Sequence, residues 1–531
     1  MDLVVRGARV IDGTGRHPAY PADVGITAGR IAEIRPTGGR RLTGRRELDA
    51  SGLALAPGFI DMHAHSDLAL LTDPAHEAKA AQGVTLEVLG QDGLSYAPAD
   101  DRTLDTLRTL IAGWNGDGSD VVFDWRTVGG YLDRLDRGVA VNGAYLVPQG
   151  TVRMMAVGWE DRPATPSELG TMKRLVAEGM EQGAVGMSAG LTYTPGMFAT
   201  DAELAGLCRV VAAHGGYFCP HHRSYGAGAL RAYEEMLALA RGTGCPLHLA
   251  HATMNFGENA GRADELLALL DAATAAGADV TLDTYPYTAG CTTLAALLPS
   301  WAAVGGPGAT LARLRDEPTA ERIRHALEVE GSDGCHGVPV DWSTIEVSGT
   351  ADPALAVRVG TRLDGWPAAR ALLLADRLGT TILQHVGDER NVRTVMRHRA
   401  HTGGSDGILH GAKPHPRAYG TFPHYLGHYV RELGVLGLEE CVAHLTGRPA
   451  ARLGLPDRGL VREGYRADLV LFDPETVAAG ATYDRPRTPP AGIPYVLIDG
   501  RFVIEDGRRT DVLAGRSVRG PGRRAAGGRG G

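Results

Sequence analysis

The chain has 531 residues, 44% of them hydrophobic and 22% charged, which is typical of a globular protein with more than one domain. Its 54 Lys and Arg are outnumbered by 62 Asp and Glu, and the resulting net charge of −8 argues against a nucleic-acid partner. No uncharged apolar run reaches the roughly 18 residues of a membrane span, so no membrane partner is expected.

Six scattered cysteines without a CxxC pair favour reduced thiols and a cytoplasmic location over a disulfide framework. The N-terminal residues alternate apolar and polar side chains, which is typical of a strand and not of a signal peptide.

Both ends of the chain show the same sequence pattern, in which short strand-like runs are separated by glycine-rich turns. Residues 2–55 contain three such runs, and residues 467–507 contain two more. The sequence therefore predicts one small β-sandwich that is assembled from residues 1–55 and 451–515. The last residues, 516–531, are rich in Gly and Arg and are predicted to be a disordered tail.

Residues 56–450 alternate apolar strand candidates with amphipathic helix candidates. Repeated βα units over this length predict a (β/α)8 barrel, with a doubly wound sheet as the alternative. In such barrels the active site lies at the carboxyl ends of the strands. Residues 292–350 interrupt this alternation of strands and helices with Pro, Gly and a charged helix, so we predict an inserted lid over the site.

The stretch GFIDMHAHSD, residues 58–67, places Asp61, His63, His65 and Asp67 at alternate positions after an apolar run. On a strand these four side chains would face the same way. Two imidazoles about 7 Å apart on one strand face can converge on one metal ion. The alternative is a half-buried strand whose polar face meets water.

Further strand candidates also end in acids or histidines. A single histidine in such a place is more often structural, but recurrence around one barrel indicates a metal site. Imidazole with carboxylate suits Zn²⁺, one or two ions, with Mn²⁺ or Fe²⁺ possible. The residues concerned are Glu87 and Asp92, His221 and His222, His248 and His251, and Asp406.

In these features the chain resembles the amidohydrolase superfamily, and within it the N-acyl-D-amino-acid deacylases. The similarity runs in order over nearly the whole chain. The stretches that carry it are GFIDMHAHSD (58–67), GAVGMSAGLTYTPGMFA (183–199), HHRS (221–224), DVTLDTYPYTA (279–289), GSDG (404–407), HPRAYGTFPHYLGHYVRE (415–432) and RGLVREGYRADLVLFD (458–473).

The resemblance implies roles for individual residues. Metal ligands would be His63, His65, His221 and His251, with His222 a bystander, and Asp406 would be the catalytic acid and base. Arg417 would hold the α-carboxylate of an N-acyl amino acid, assisted by Tyr285, and Arg223 matches a further substrate-binding arginine.

The chain departs from the family at one ligand. Relatives carry a cysteine after the second strand, whereas this chain has Gln91, Asp92 and Gly93. Asp92 can replace the thiolate as a harder oxygen ligand. Glu87 on the preceding strand is the rival, and a site without a ligand there is the third option.

The implied reaction is hydrolysis of an N-acyl-D-amino acid by metal-activated water, with release of the D-amino acid. Two alternatives stay open on sequence. Hydrolysis of cyclic amides or imides, as in dihydroorotases and hydantoinases, usually needs a carboxylated lysine, and no lysine stands at a matching strand end. A non-catalytic barrel would be expected to lose ligands. The oligomeric state, the acyl group and the side chain of the substrate cannot be read from the sequence.

Overall fold

A computed structural model describes residues 1–522 of the chain. In chain order the strands of this region are β1 (Leu3–Val10), β2 (Tyr20–Thr27), β3 (Arg30–Pro36), β4 (Arg46–Asp49), β5 (Ala54–Pro57), β6 (Phe59–Asp61), β7 (Val84–Leu89), β8 (Asn142–Pro148), β9 (Gly186–Gly190), β10 (Tyr217–His221), β11 (Leu247–Leu249), β12 (Val280–Thr284), β13 (Ala289–Thr293), β14 (Ile345–Gly349), β15 (Thr381–His385), β16 (His401–Gly403), β17 (Leu469–Phe472), β18 (Tyr495–Ile498), β19 (Arg501–Glu505) and β20 (Arg508–Arg509).

The helices pack around and between these strands. They are α1 (Ala69–Thr72), α2 (Glu77–Ala80), α3 (Asp101–Leu110), α4 (Ala112–Asn115), α5 (Val128–Leu135), α6 (Gln149–Ala156), α7 (Pro166–Gln182), α8 (Asp201–Ala213), α9 (Ala229–Thr243), α10 (Ala263–Ala275), α11 (Pro307–Arg315), α12 (Glu317–His325), α13 (Trp366–Ala375), α14 (Glu389–Met396), α15 (Arg417–His424), α16 (Leu438–Leu445) and α17 (Gly447–Arg452).

Eight parallel strands form the barrel, in the order β6 to β12 followed by β16. Backbone hydrogen bonds from Met62 to Gly403 and from His65 to Gly407 join the first strand to the eighth and close the ring. Strands β7 and β8 are buried along their whole length, as expected of parallel strands with helices outside and side chains inside. The predicted (β/α)8 barrel is confirmed, and ring closure excludes the doubly wound alternative.

The two ends of the chain meet in a nine-stranded sheet that contains β1–β5 and β17–β20. Antiparallel pairing of β5 with β17 joins the N-terminal strands to the C-terminal ones. A separate cluster of buried apolar side chains, contributed by both ends, packs on this sheet. A second β unit built from both termini is therefore confirmed, while the division into domains at residues 55 and 451 stays a prediction.

The insertion lies between the seventh barrel strand β12 and the eighth, β16. It contains an antiparallel sheet in the order β13-β15-β14, covered by α11, α12 and α13 around an apolar cluster of its own. The expected bounds of 292–350 were too narrow, because β15 pairs with both other strands and extends the insertion to residue 385. The three-stranded pairing joins residues too distant in the chain for local periodicity to reveal it.

The disordered tail was predicted to begin at residue 516, which is too early in the chain. Residues 516–522 lie against the barrel. The backbone N–H of Gly143 donates to the carbonyl of Arg516, and the N–H of Val518 donates to the carbonyl of Gly143. Arg519 forms ion pairs with Asp133 and Asp136 on and beside α5. Gly/Arg-rich composition alone did not show these anchoring contacts, and residues 523–531 of that prediction lie outside the described residues.

Within residues 1–522, no helix combines the length and the apolar character needed to span a membrane.

A buried ionic network lies beside the seam between the first and eighth barrel strands. Lys79 on α2 is fully buried and donates to Asp61 at 2.7 Å and to Ser405 at 2.8 Å. Its ammonium also lies 3.1 Å from Glu87 on β7, which His76 contacts at 2.6 Å. One cation thus compensates two carboxylates on neighbouring strands.

These contacts change the protonation equilibria of the network. Burial alone would favour the neutral form of Glu87, but His76 and Lys79 together lower its pKa to about 2. Burial likewise opposes the charge on Lys79, and Asp61 and Glu87 reverse that effect and raise its pKa. Lys79 and Glu87 are therefore both charged at neutral pH, and the charge of each depends on its partners.

Replacing Lys79 by Met should destabilise the fold by about 3–5 kcal/mol, because two buried carboxylates lose their cation. Denaturant unfolding measures the change. Arg174→Met is the matched control, since Arg174 forms an exposed ion pair with Glu178 and should contribute less than about 1 kcal/mol. Equal stability of the Lys79→Met variant and the wild type would contradict this role.

Candidate metal centre

His63 and His65 lie just beyond the carboxyl end of β6, and both side chains are buried. The strand ends at Asp61, so the expectation that Asp61, His63, His65 and Asp67 share one strand face was wrong. Only the two imidazoles enter the metal cluster. A backbone hydrogen bond from Asp406 to the His63 carbonyl, 2.8 Å long, fixes this loop against the eighth strand.

The two acids of the motif, Asp61 and Asp67, hold the histidine loop in place by hydrogen bonds. Asp61 accepts hydrogen bonds from the backbone N–H of His63 and of Ser405 as well as from Lys79. Asp67 accepts from the backbone N–H of Gly90 at 2.9 Å and from Ser95. Both carboxylates therefore join the histidine loop to neighbouring strand ends by hydrogen bonds. The residue types and their spacing in the sequence could not distinguish this role from metal binding.

Asp92 occupies the middle of the cluster. Its Oδ1 lies 3.6 Å from Nε2 of both His63 and His251. Its Oδ2 lies 3.6 Å from His65 Nε2 and from His221 Nδ1. The carboxylate thus stands between the pair His63/His65 and the pair His221/His251, and each of its oxygens lies 3.6 Å from one member of each pair.

The residues form two overlapping groups of possible ligands. One is His63, His65, Asp92 and Asp406, and the other is Asp92, His221 and His251. His251 Nε2 and His221 Nδ1 are 3.0 Å apart, and Thr192 contacts the other ring nitrogen of His221 at 2.7 Å. The neighbouring His222 points away and packs between the rings of Tyr225 and Tyr233.

The arrangement fits a divalent metal ion on two grounds. Metal–nitrogen and metal–oxygen bonds of about 2.0–2.1 Å in tetrahedral geometry put ligand atoms about 3.4 Å apart, close to the separations in this cluster. Both ring nitrogens of His63 and Oδ1 of Asp92 are also buried without a hydrogen-bond partner in the described region. Buried polar atoms normally have partners, so these atoms are suited to coordinate a cation.

The electrostatics agree with that fit. Burial would lower the pKa of His63, but Asp406, Asp283 and Asp92 together raise it to about 9. Burial would likewise raise the pKa of Asp92, and the histidines around it, His63 first, hold it well below its usual range. A field that favours positive charge on His63 also favours a metal cation beside it.

Asp283 is a functional residue that the sequence did not single out. It is the next-to-last residue of β12, and its Oδ1 accepts a hydrogen bond from the backbone N–H of His251 at 2.9 Å. Its Oδ2 lies 3.1 Å from His248 Nε2 and 3.6 Å from His63 Nδ1. Asp283 thereby fixes the loop of His251 by a hydrogen bond and places its charge beside the ring of His63, where carboxylates commonly lie behind metal-binding histidines. An acid at the end of a buried strand was the available signal.

Asp406 follows β16 and adopts a left-handed backbone conformation with φ of +48°. Its Oδ1 is 3.1 Å from His65 Nε2, and its Oδ2 forms a 2.9 Å ion pair with Arg417. Asp92 and His251 are left-handed as well. Non-glycine residues in this region are uncommon and concentrate at functional sites.

Arg417 is fully buried, and the face of its guanidinium lies 4.3 Å from the ring centre of Tyr285. Its Nε and Nη1 have no hydrogen-bond partner among the described residues. Tyr285 lines the cavity above the cluster, so it stands between that cavity and the guanidinium. The structure therefore brings Asp406, Arg417 and Tyr285 together.

Two candidates from the sequence lie apart from this cluster. Arg223 binds Glu235 at 2.9 Å and two backbone carbonyls, and it is not among the described residues that line the metal cavity. Glu87 belongs to the buried network of Lys79 and His76. The position of Asp92 between four histidines thus distinguishes it from its rival.

The inserted segment closes one side of the cavity with Cys291, Thr292 and His336. The His336 carbonyl accepts hydrogen bonds from Ser224 and Ala227, which fix the insertion to the loop after β10. Tyr193, from the loop after β9, packs 4.8 Å from His221, centre to centre. His336 and Tyr193 come from irregular segments, where no periodic signal could identify them.

Comparisons with known proteins agree with this geometry. A family model described as the amidohydrolase family matches residues 46–504. An N-acyl-D-glutamate deacylase of Alcaligenes xylosoxydans xylosoxydans is 38% identical over 95% of this chain and 94% of its own. A D-aminoacylase of the same organism is 35% identical over 97% of both chains.

Among solved structures, an N-acyl-D-glutamate deacylase from Bordetella bronchiseptica is similar, with a TM-score of 0.80 and 33% identity. The match covers 97% of this chain and 99% of that one, whose structure holds zinc and a phosphonate that mimics the tetrahedral reaction intermediate. With a family match over most of its length and relatives this similar, the chain belongs to the amidohydrolase family.

Proposed function

We propose that the protein is a metal-dependent amide hydrolase that releases a D-amino acid from an N-acyl-D-amino acid. The observation that carries the proposal is the convergence of four histidines, Asp92 and Asp406 beside a buried arginine with unpartnered donors. The relatives named above act on N-acyl-D-amino acids, and they match this chain over nearly its whole length.

The residues that would hold the metal are His63, His65, Asp92, His221 and His251, with Zn²⁺ as the expected ion and one or two ions accommodated. When bound, Zn²⁺ lowers the pKa of a coordinated water toward neutrality and polarises the scissile carbonyl. The position of Asp92 suits a site with one metal ion as well as a site with two, because each of its oxygens lies 3.6 Å from one histidine of each pair.

Asp406 would move the proton. Water adds to the carbonyl carbon, the C–N bond breaks, and the acyl group leaves as a carboxylic acid, which then loses its proton to solvent. The Asp406 carboxylate accepts the proton of the water and passes it to the departing nitrogen, which leaves as an amine. Its 2.9 Å ion pair with Arg417 and its contact with His65 hold it beside the cluster.

Arg417 would bind the α-carboxylate of the substrate. Its Nε and Nη1 are buried donors without partners, and a carboxylate is the acceptor that satisfies a guanidinium best. Because Tyr285 covers the guanidinium on the cavity side, its ring must turn aside as the carboxylate enters. Such side-chain movements are common on binding.

The cyclic amide alternative has less support. The chain has three lysines, Lys79, Lys173 and Lys413. Lys79 is bound to Asp61 and Glu87, Lys413 is paired with Glu346, and Lys173 is on α7 outside the barrel. None of them is among the described residues that line the metal cavity. A panel of N-acetyl-D-amino acids, their L-enantiomers and cyclic imides, scored for product formation, tests the choice directly.

A reducing, cytoplasmic setting is part of the same proposal. All six cysteines are free thiols, and five of them are buried. Such scattered, unpaired cysteines are typical of proteins from reducing compartments.

Asp92→Asn should weaken metal binding by more than the roughly 10- to 100-fold typical of losing an outer partner, because a central ligand loses its charge. Asn tolerates the left-handed backbone of Asp92, so the fold should persist. Metal analysis after dialysis measures the change. Glu87→Gln is the control, and it should lower stability while retaining metal. Metal loss in the control but not in Asp92→Asn would assign the ligand to Glu87.

Asp406→Asn should lower kcat by about 100-fold or more, because an amide cannot accept the proton of the water. Metal content should be retained, since His63, His65 and Asp92 remain. Steady-state kinetics with a metal analysis of the same sample measure both. A variant that loses its metal instead would make Asp406 chiefly a ligand.

Arg417→Met should lower kcat/KM by about 10- to 100-fold, chiefly through KM, because a charge-assisted carboxylate contact is lost. It should also reduce discrimination between D and L substrates, which kinetics on both enantiomers measure. Arg153→Met is the control, since Arg153 is equally buried but pairs with Glu203 on α8. A control that changes the D/L ratio as much would show a general effect of losing a buried arginine.

A further inference from the structure

A second cavity lies beside the metal centre. Its walls come from the loops after the second, third and fourth barrel strands and from the insertion. Within residues 1–522, no charged side chain lines it. Typical lining residues are Leu94, Ile111, Trp114, Trp159, Met197 and Leu298.

This apolar cavity adjoins the metal cavity. Thr192, Tyr193 and Ala296 line both. Tyr193 stands at the junction, with its ring centre 4.8 Å from that of His221 and 5.1 Å from that of Trp114. Trp114 in turn packs 5.1 Å from His65. The apolar wall thus starts directly at the proposed metal ligands.

The apolar cavity and the proposed carboxylate anchor lie on opposite sides of the barrel mouth. Tyr285 follows the seventh strand, and Arg417 follows the eighth. In a closed ring of eight, the third and fourth strands stand opposite the seventh and eighth. Trp159 and Tyr193 follow these opposite strands. A substrate held at both ends would therefore cross the metal centre.

The shape of an amide decides which end of the substrate lies where. In a trans amide, the Cα on nitrogen and the chain on the carbonyl carbon extend in opposite directions. If the α-carboxylate lies at Arg417 and the carbonyl carbon at the metal, the acyl chain extends toward Trp114 and Tyr193. The amino-acid side chain stays nearer the polar residues of the metal cavity, among them Thr253, Asn255 and Gln384.

We propose that the apolar cavity is an acyl-chain subsite, and that the preferred substrates carry an acyl group longer than acetyl. The inference rests on the proposed function and deepens it. Burial of each added methylene in an apolar pocket is worth about a 4-fold gain in kcat/KM.

The test uses the wild-type, metal-loaded enzyme and two substrate series of equal length. One series extends the acyl group of D-alanine from acetyl through butanoyl to hexanoyl. The other keeps the acetyl group and extends the side chain by the same two and four methylenes, from D-alanine through D-norvaline to D-2-aminoheptanoic acid. We expect kcat/KM to rise about 3- to 4-fold per methylene in the acyl series and much less in the side-chain series.

A flat or falling acyl series would overturn the subsite. A rise confined to the side-chain series would overturn it too, and would assign the cavity to the amino-acid side chain. Either result leaves the proposed function standing, because both require hydrolysis of N-acetyl-D-amino acids. Failure to hydrolyse every member of both series would instead refute the proposed function.

Filling the cavity supplies a second test. Ala303→Phe and the smaller Ala303→Leu add bulk at the cavity wall, and the ratio of hexanoyl to acetyl kcat/KM should fall at least about 10-fold in the former. Ala275→Phe, on the exposed face of α10, is the control and should leave that ratio unchanged. An unchanged ratio in folded Ala303 variants, checked by thermal melting, would contradict the assignment.

Discussion

The metal centre depends on the seam where the first barrel strand meets the eighth. Asp61 accepts hydrogen bonds from the backbone of His63 and of Ser405, and Asp406 donates its own N–H to the His63 carbonyl. The proposed ligands and the proposed base therefore sit on two loops that share one buried carboxylate. Lys79 compensates the charge of that carboxylate, so the geometry of the site and the stability of the barrel rest on the same contacts.

The charges around the cluster explain why the site needs a cation. Asp92, Asp283 and Asp406 are buried close to His63, and the ring of His63 has no hydrogen-bond partner in the described region. Burying several carboxylates together costs much free energy unless positive charge compensates them. Arg417 compensates Asp406, whereas Asp92 faces only histidines, and a divalent ion supplies the missing charge.

The barrel mouth is divided by polarity. One side, after the seventh and eighth strands, holds a buried guanidinium behind Tyr285, and the opposite side is an uncharged cavity walled by tryptophans. The insertion contributes to both cavities through neighbouring residues, Thr292 to one and Thr293 to the other. A single inserted unit thus shapes both ends of the space available to a substrate. Changes in its loops could alter specificity without touching the ligands.

The sequence by itself determined the features that local chemistry and periodicity encode. Alternating apolar and helical segments predicted the barrel, the similar texture of both ends predicted their shared β unit, and the HxH pair marked the first strand end. The resemblance to a known family then selected His221 over His222 and His251 over His248. For each of these residues the information lies within a short stretch of chain.

Only the tertiary structure decided which charged residues belong to which network. Four acids lie near strand ends, namely Asp61, Asp67, Glu87 and Asp92. The sequence could not distinguish a metal ligand among them from an acid that holds a loop in place by hydrogen bonds. The fold puts Asp92 between four histidines and Glu87 beside Lys79, over distances that no local pattern contains. The same holds for Asp283, for the three-stranded insertion and for the apolar cavity. Each is made by side chains from loops or strands far apart in the chain, and burial in three dimensions sets their partners.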